Sequence, residues 1–209
     1  RDWSSDVCSS DLEIEGTSAD IKGLAFQNLN FQSKIYEASS MVEFNFHPFG
    51  MNINDEAATP YFLLGLSGFW FDPYRLDKEE VNLRDLRTEQ QKHSYSQLQP
   101  AIPIGFGVKT RASNRKNSGG WIVGAEVIFR KTFTDYLDDV STEYPGKEYL
   151  EKYLGGEALR TTLYWSDRRK KTESPSAYNS ATKRGNPGRN DGYGTLTVQL
   201  AYVLNRKKR

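Results

Sequence analysis

Four carboxylates crowd the segment TDYLDDVSTEY: Asp135, Asp138, Asp139 and Glu143. Closely spaced carboxylates supply the oxygen ligands that a hard cation such as calcium or magnesium takes. Their spacing does not follow the EF-hand loop, and the plainer reading is loop capping and pairing with nearby Arg or Lys. A second set is dispersed along the chain: Glu37, Glu43, Gln97, Gln99, Glu126, Arg130 and Gln199. A guanidinium among carboxylates and amides suits a neutralised polar network, because a buried charge needs a partner. Nucleophilic catalysis of the Ser-His-acid kind needs a base that takes a proton near neutrality, and the chain offers only His47, beside Pro48, and His93, between Lys92 and Ser94. Both read as solvated loop histidines, and neither is set out as a metal ligand. No catalytic residue, metal or cofactor is expected, and the protein reads as non-enzymatic.

The dispersed charges acquire a common direction from the parity of their surroundings. In GGWIVGAEVIFRKTF, Trp121, Val123, Ala125, Val127, Phe129 and Phe133 fall on one parity, and Gly124, Glu126, Arg130 and Thr132 on the other. Side chains alternate across a strand, so this ribbon is greasy on one face and polar on the other. Lys131 breaks the greasy parity near the end, where a long stem carries its charge back toward an interface. Four further strands are expected. Lys34 to Phe46 sets Tyr36, Ala38, Val42, Phe44 and Phe46 against Glu37, Ser39, Glu43 and Asn45, with Ser40 and Met41 out of pattern. Tyr61 to Phe71 sets Phe62, Leu64, Leu66 and Trp70 against a second face made partly apolar by Tyr61, Leu63, Phe69 and Phe71. Tyr95 to Lys109 sets Leu98, Ile102, Ile104, Phe106 and Val108 against Gln97, Gln99, Gly105, Gly107 and Lys109; Pro100 and Pro103, which cannot donate to a ladder, suggest a bulge or bend. Tyr193 to Leu204 sets Leu196, Val198, Leu200, Tyr202 and Leu204 against Thr195, Thr197 and Gln199.

Residues 1–12, RDWSSDVCSSDL, read as the translation of a common sequencing adapter and are set aside as an artefact. Cys8, the only cysteine, goes with them, and the net charge moves from +1 to +3, too mild to point to nucleic acid. The true start is then expected upstream, together with the signal peptide, leaving residues 13–209 as the C-terminal part of one domain. No apolar run approaches the roughly 18 residues of a membrane helix. A negative mean hydropathy does not exclude a membrane barrel, whose strands are only half apolar and whose loops are polar.

Connection lengths separate a sandwich from a barrel. Residues 47–60 and 110–119 are short, while 72–94 and 134–192 are long. Outer-membrane barrels keep short turns at the periplasmic end and long loops outside; a sandwich has no reason to segregate them. The expectation is an all-β, antiparallel transmembrane β-barrel, an OmpA-like up-and-down meander with about five of eight strands present. Its greasy parity meets lipid and its polar parity the lumen. An eight-stranded lumen is just wide enough for side chains to fill, so the inward set is expected to form a salt-bridged plug rather than a conduit. In the longest loop, Lys147 to Leu154 reads as helical, with Tyr149, Leu150, Tyr153 and Leu154 on one face and Gly155 and Gly156 ending it. Arg168 to Asn190, basic and rich in Ser, Gly, Asn and Pro, reads as a flexible loop.

RKTFTDYLDDVS (Arg130 to Ser141), YEASSMVEFNF (Tyr36 to Phe46), TPYFLLGLSGFWF (Thr59 to Phe71), PAIPIGFGVK (Pro100 to Lys109) and RGNPGRND (Arg184 to Asp191) resemble the PorG-like family of small outer-membrane barrels. That family is associated with type IX secretion and gliding, and many of its members have no assigned role. The resemblance runs over residues 30–205. It implies an eight-stranded barrel in the bacterial outer membrane and a structural, anchoring part in the secretion apparatus. The partners implied are outer-membrane lipid and periplasmic secretion-ring proteins; nucleic acid is not among them. The chain departs from the family pattern in its N-terminal strands and in ending NRKKR rather than on an aromatic. The alternatives are a passive porin-like or adhesive small barrel, a soluble lipocalin-like ligand-binding barrel, and a barrel lipase or deacylase.

Overall fold

Six long strands pair side by side, each antiparallel to the next. The computed structural model describes residues 2–17, 30–50, 56–76, 80–89, 91, 93–112, 120–167 and 183–203. The strands are β1 (Asp2–Thr17), β2 (Asn30–Asn45), β3 (Ala58–Leu76), β4 (Glu80–Asn82), β5 (Leu98–Arg111), β6 (Gly120–Thr132) and β7 (Gly192–Val203). The helices are α1 (Leu83–Leu86), α2 (Lys147–Tyr153) and α3 (Gly156–Ser166). The sheet order is β1-β2-β3-β5-β6-β7, with short β4 folded onto the far end of β3. Meander topology puts the short β2–β3 and β5–β6 connections at one end and the long β3–β5 and β6–β7 connections at the other.

The sheet is curled into a half-barrel, and the side chains measure the curl. From β2 to β6 is three strand steps, about 14 Å along a sheet whose strands lie about 4.8 Å apart. Yet Arg130 on β6 touches Glu37 on β2 at 2.6 Å. Tyr193 on β7, one strand further, donates to the same carboxylate at 3.0 Å. Such reach is possible only across the hollow of a strongly bent sheet.

Burial follows the parity. On β2, Ile35, Glu37, Ser39, Met41, Glu43 and Asn45 are buried, while Tyr36 and Val42 are exposed. On the other strands Leu64, Leu66, Ile104, Phe106, Val108, Val123, Val127, Phe129, Leu196, Val198 and Leu200 all lie exposed on the convex side. The contrast is wide: Leu66 is 71% and Leu196 76% exposed, whereas Ile35, Tyr61 and Phe71 are 0%. The concave side holds two apolar clusters. One joins Ile35, Phe69, Phe71, Ala101, Leu137 and Tyr193; the other joins Met41, Tyr61, Leu63 and Ile128.

Several sequence expectations need correction. Among the described residues seven strands form rather than five, and residues 2–17 pair with β2 along its whole length from Asp2↔Asn45 to Thr17↔Asn30. Pairing at an open edge needs only backbone N–H and C=O groups, so a segment of any composition can supply it. No bulge forms at Pro100 and Pro103. The β3–β5 register is the same on both sides of the proline, Leu64↔Ile104 and Ser67↔Ala101, so the ladder is interrupted opposite Pro103 without an inserted residue. Gly155 and Gly156 end α2 as expected, but α3 starts at once, with Gly156 at φ +58°. Thr162, Trp165 and Ser166 form its buried face at helical spacing. Of the expected flexible loop, residues 168–182 lie outside the described residues, while Arg184 is buried.

Candidate functional site

The concave face carries three polar links, each made possible by the curl. At its centre Arg130 Nε donates to Glu37 Oε2 at 2.6 Å, Arg130 Nη1 donates to Thr195 Oγ1 at 2.6 Å, and Tyr193 OH shares Glu37 Oε2. Both charged side chains are almost wholly withdrawn from solvent, 7% exposed for Arg130 and 1% for Glu37. Toward the short-turn end, Lys109 Nζ donates to Glu43 Oε1 at 2.6 Å, and Asn45 Nδ2 donates to the same oxygen at 2.8 Å. Between these pairs, Tyr61 OH on β3 reaches over β5 to Glu126 Oε2 on β6 at 2.9 Å. It passes above Gly107, its register partner, where a Cβ would stand 2.2 Å from the Tyr61 ring. Glycine there leaves the room that the phenol crosses.

The seven residues expected to share a polar interior are thus only partly gathered. Glu37 and Arg130 pair directly; Glu43 and Glu126 face the same hollow but take Lys109 and Tyr61 as partners. Gln97 turns to Asp72 at 2.9 Å and Gln99 to the Ser96 carbonyl at 3.0 Å, both at the long-loop end. Gln199 keeps the concave parity beside Gly124, but it lies exposed on the edge strand.

At the long-loop end three loops close over the hollow around Arg184. Its guanidinium donates to Glu89 Oε1 at 2.9 Å, to Thr88 Oγ1 at 3.1 Å and to the Asp139 carbonyl, and lies 3.7 Å from the Asp139 carboxylate. Glu89 also accepts the Ser141 and Thr142 backbone N–H groups, each at 2.8 Å, and the Thr142 hydroxyl. Thr88 and Tyr95 donate to the Asp139 carboxylate. A stack of Phe71, Tyr95 and Tyr136 ties this cap to the apolar cluster below. Burial pushes Asp139 up to about 6 against the pull of Arg184, Thr88 and Tyr95. Burial also raises Asp191 to about 6, with the Leu137 N–H opposing and the nearby Asp135 adding to the rise. Arg184 is lowered by burial but raised more by Asp139 and Glu89, so it stays charged.

Of the four carboxylates Asp135, Asp138, Asp139 and Glu143, read as capping and pairing groups with cation binding the alternative, two cap or pair in this arrangement. Asp139 is committed to Arg184 and its neighbours, Asp138 Oδ1 accepts the Val140 N–H at 2.9 Å, and Glu143 is exposed, its backbone forming an isolated β-bridge with Lys183. Among the described residues no group of three His, Cys, Asp or Glu is placed to hold a metal ion. His47 and His93 are both exposed and lie at opposite ends of the sheet. The cap escaped the sequence because Thr88, Glu89, Asp139 and Arg184 share no periodicity and meet across separations of 45 to 96 residues. The signals were Asp139 among the DYLDD carboxylates and Arg184 at the head of a Gly-Asn-Pro loop.

Among known proteins, a family profile described as Domain of unknown function (DUF6089) matches residues 2–157. No curated protein matches the chain, and no solved structure does.

Proposed function

The chain belongs to the DUF6089 family, and from that footing we propose that it is a non-enzymatic outer-membrane β-barrel protein, a structural anchoring component of a type IX secretion or gliding apparatus. The observation that carries the membrane reading is the convex face. Its aromatic side chains collect near the two ends: Tyr36 against Trp70 toward the long loops, and Phe44 against Phe46, Phe62 against Phe106 and Trp121 against Tyr202 toward the short turns. From Tyr36 to Phe46 is about 33 Å along a strand rising about 3.3 Å per residue. A tilt of about 40° reduces that to about 25 Å, the height of the apolar band of outer-membrane barrels between their aromatic girdles. Leu64, Leu66, Ile104, Val127 and Val198 fill the band between. A face so apolar over so many strands is costly in water.

In this reading β1, β2, β3, β5, β6 and β7 are successive strands of the barrel wall. The salt-linked interior supports a filled plug over a pore and over a lipocalin-like apolar cavity. The anchoring role rests on the resemblance of the RKTFTDYLDDVS block and its companions to PorG-like barrels. Outer-membrane fractionation, heat-modifiable migration on a gel and co-purification with periplasmic secretion-ring proteins test the two parts separately. A chain recovered only in the soluble fraction overturns the membrane reading. An inserted chain that brings down no ring protein leaves the passive or adhesive barrel in its place.

A further inference from the structure

Two adjacent rows of the convex face depart from its bulky pattern. In register across β3, β5, β6 and β7, one row runs Ala58, Thr110, Val123, Leu200 and the next runs Pro60, Val108, Ala125, Val198. The row on one side is Phe62, Phe106, Val127, Leu196, and beyond the other stand Trp121 and Tyr202. The smaller members of these rows leave a groove of about 550 Å³, lined by all of them but Leu200, by Thr59, Lys109 and Gly124 between them, and by His47 at the β2 end.

We infer that this groove holds one acyl chain of a membrane phospholipid, retained as a specific site and not exchanged with the bulk bilayer; the inference rests on the membrane reading above. Three observations select that occupant. The lining is apolar except at His47, Thr59, Lys109 and Thr110, which share its short-turn end, and this suits a molecule with one polar end and a long apolar remainder. The Trp121–Tyr202 pair flanks the groove at the short-turn end, and such aromatics sit at the headgroup level of a bilayer. Over most of the groove a peptide finds no backbone to pair with, because β3, β5 and β6 are hydrogen-bonded on both sides and of its four strands β7 alone presents an open edge. Space between packed aromatic walls forfeits dispersion contacts unless it is filled, and a flexible hydrocarbon chain fills it without needing a hydrogen-bond donor or acceptor.

The test reconstitutes the chain in vesicles of phosphatidylethanolamine and phosphatidylglycerol, extracts it in mild detergent and weighs it by native mass spectrometry. The unaltered chain should carry one phospholipid. Ala125→Phe, which fills the floor, should lower the lipid-bound fraction by about tenfold or more, and Leu64→Phe, on the same face outside the groove, should not. Val198→Phe, on an edge strand that tolerates bulk, should repeat the loss and decides the matter if Ala125→Phe does not insert. Unchanged lipid retention in an inserted groove variant overturns the inference and leaves the membrane reading standing; equal loss in Leu64→Phe also overturns it. Failure of the unaltered chain to insert overturns both.

Discussion

Arg130 shows how one side chain depends on the whole curl. Its guanidinium ties β6 to Glu37 on β2 and to Thr195 on β7, and its removal leaves a buried carboxylate without its cation. Arg130→Ala should therefore cost on the order of 3 to 5 kcal/mol, read from the urea midpoint of the folded chain. Recovery by the paired change Glu37→Gln with Arg130→Met would show that the loss is the orphaned charge. Asp139 makes a pH prediction. Its folded value of about 6 lies above the ordinary 3.8, so between these values the folded state holds a proton that the unfolded chain has released. Stability contributed by this group thus grows as pH falls through about 6 and is lost as pH rises. Asp191 acts with the same sign. The melting temperature should rise from pH 7.5 to pH 5.5, and Asp139→Asn should flatten part of that rise. A wild-type melting temperature that falls over this interval would refute it.

At the scale of the elements, the strands present two faces that ask for opposite chemistry. Val127, in the middle of β6, is 56% exposed on the convex side, while its neighbour Glu126 is 7% exposed on the concave side. If lipid covers the convex face, Val127→Lys should cost about 2 to 4 kcal/mol, as charges do near the bilayer midplane of barrels. On a face meeting water, the same change should stay within about 0.5 kcal/mol. Unfolding titrations of the two proteins in vesicles separate these cases. The parity was legible in the sequence because a strand's period of two is a property of the backbone itself. The positions of α3 and β4 were not: β4 is three residues long, and α3 buries Thr162 and Ser166 beside Trp165, a face too polar to stand out as an apolar stripe.

The whole molecule joins a curled sheet to a cap of three loops held by Arg184. Arg184→Ala should release the cap while leaving the sheet folded, because Glu89 and Asp139 would lose their shared cation at one end only. Limited proteolysis should then cut within residues 134–146 or 183–191 at protease levels that leave the unaltered chain whole, with heat-modifiable migration unchanged. Loss of that migration would mean that cap and sheet form one cooperative unit. His93→Ala should leave both stability and secretion intact, since an exposed loop substitution changes stability by less than about 0.5 kcal/mol and an anchor needs no base. Loss of secretion from a stable, inserted His93→Ala protein would move the search to a catalytic rim.

The sequence alone determined which residues share a face, where the main strands run, and that long and short connections alternate. These follow from local backbone geometry and hydropathy, which act over a few residues. It also pointed to Arg130 as a counter-ion, because a lone inward guanidinium among glutamates has few alternatives. Which glutamate it takes was decided by tertiary structure: curvature brings Glu37 to Arg130, hands Glu43 to Lys109, and lets Tyr61 reach Glu126 over Gly107. The same holds for the carboxylates of the DYLDD segment. Their spacing favoured capping and charge pairing over cation binding, but the partner of Asp139 is Arg184, brought in from 45 residues away, a proximity that no local rule of sequence encodes.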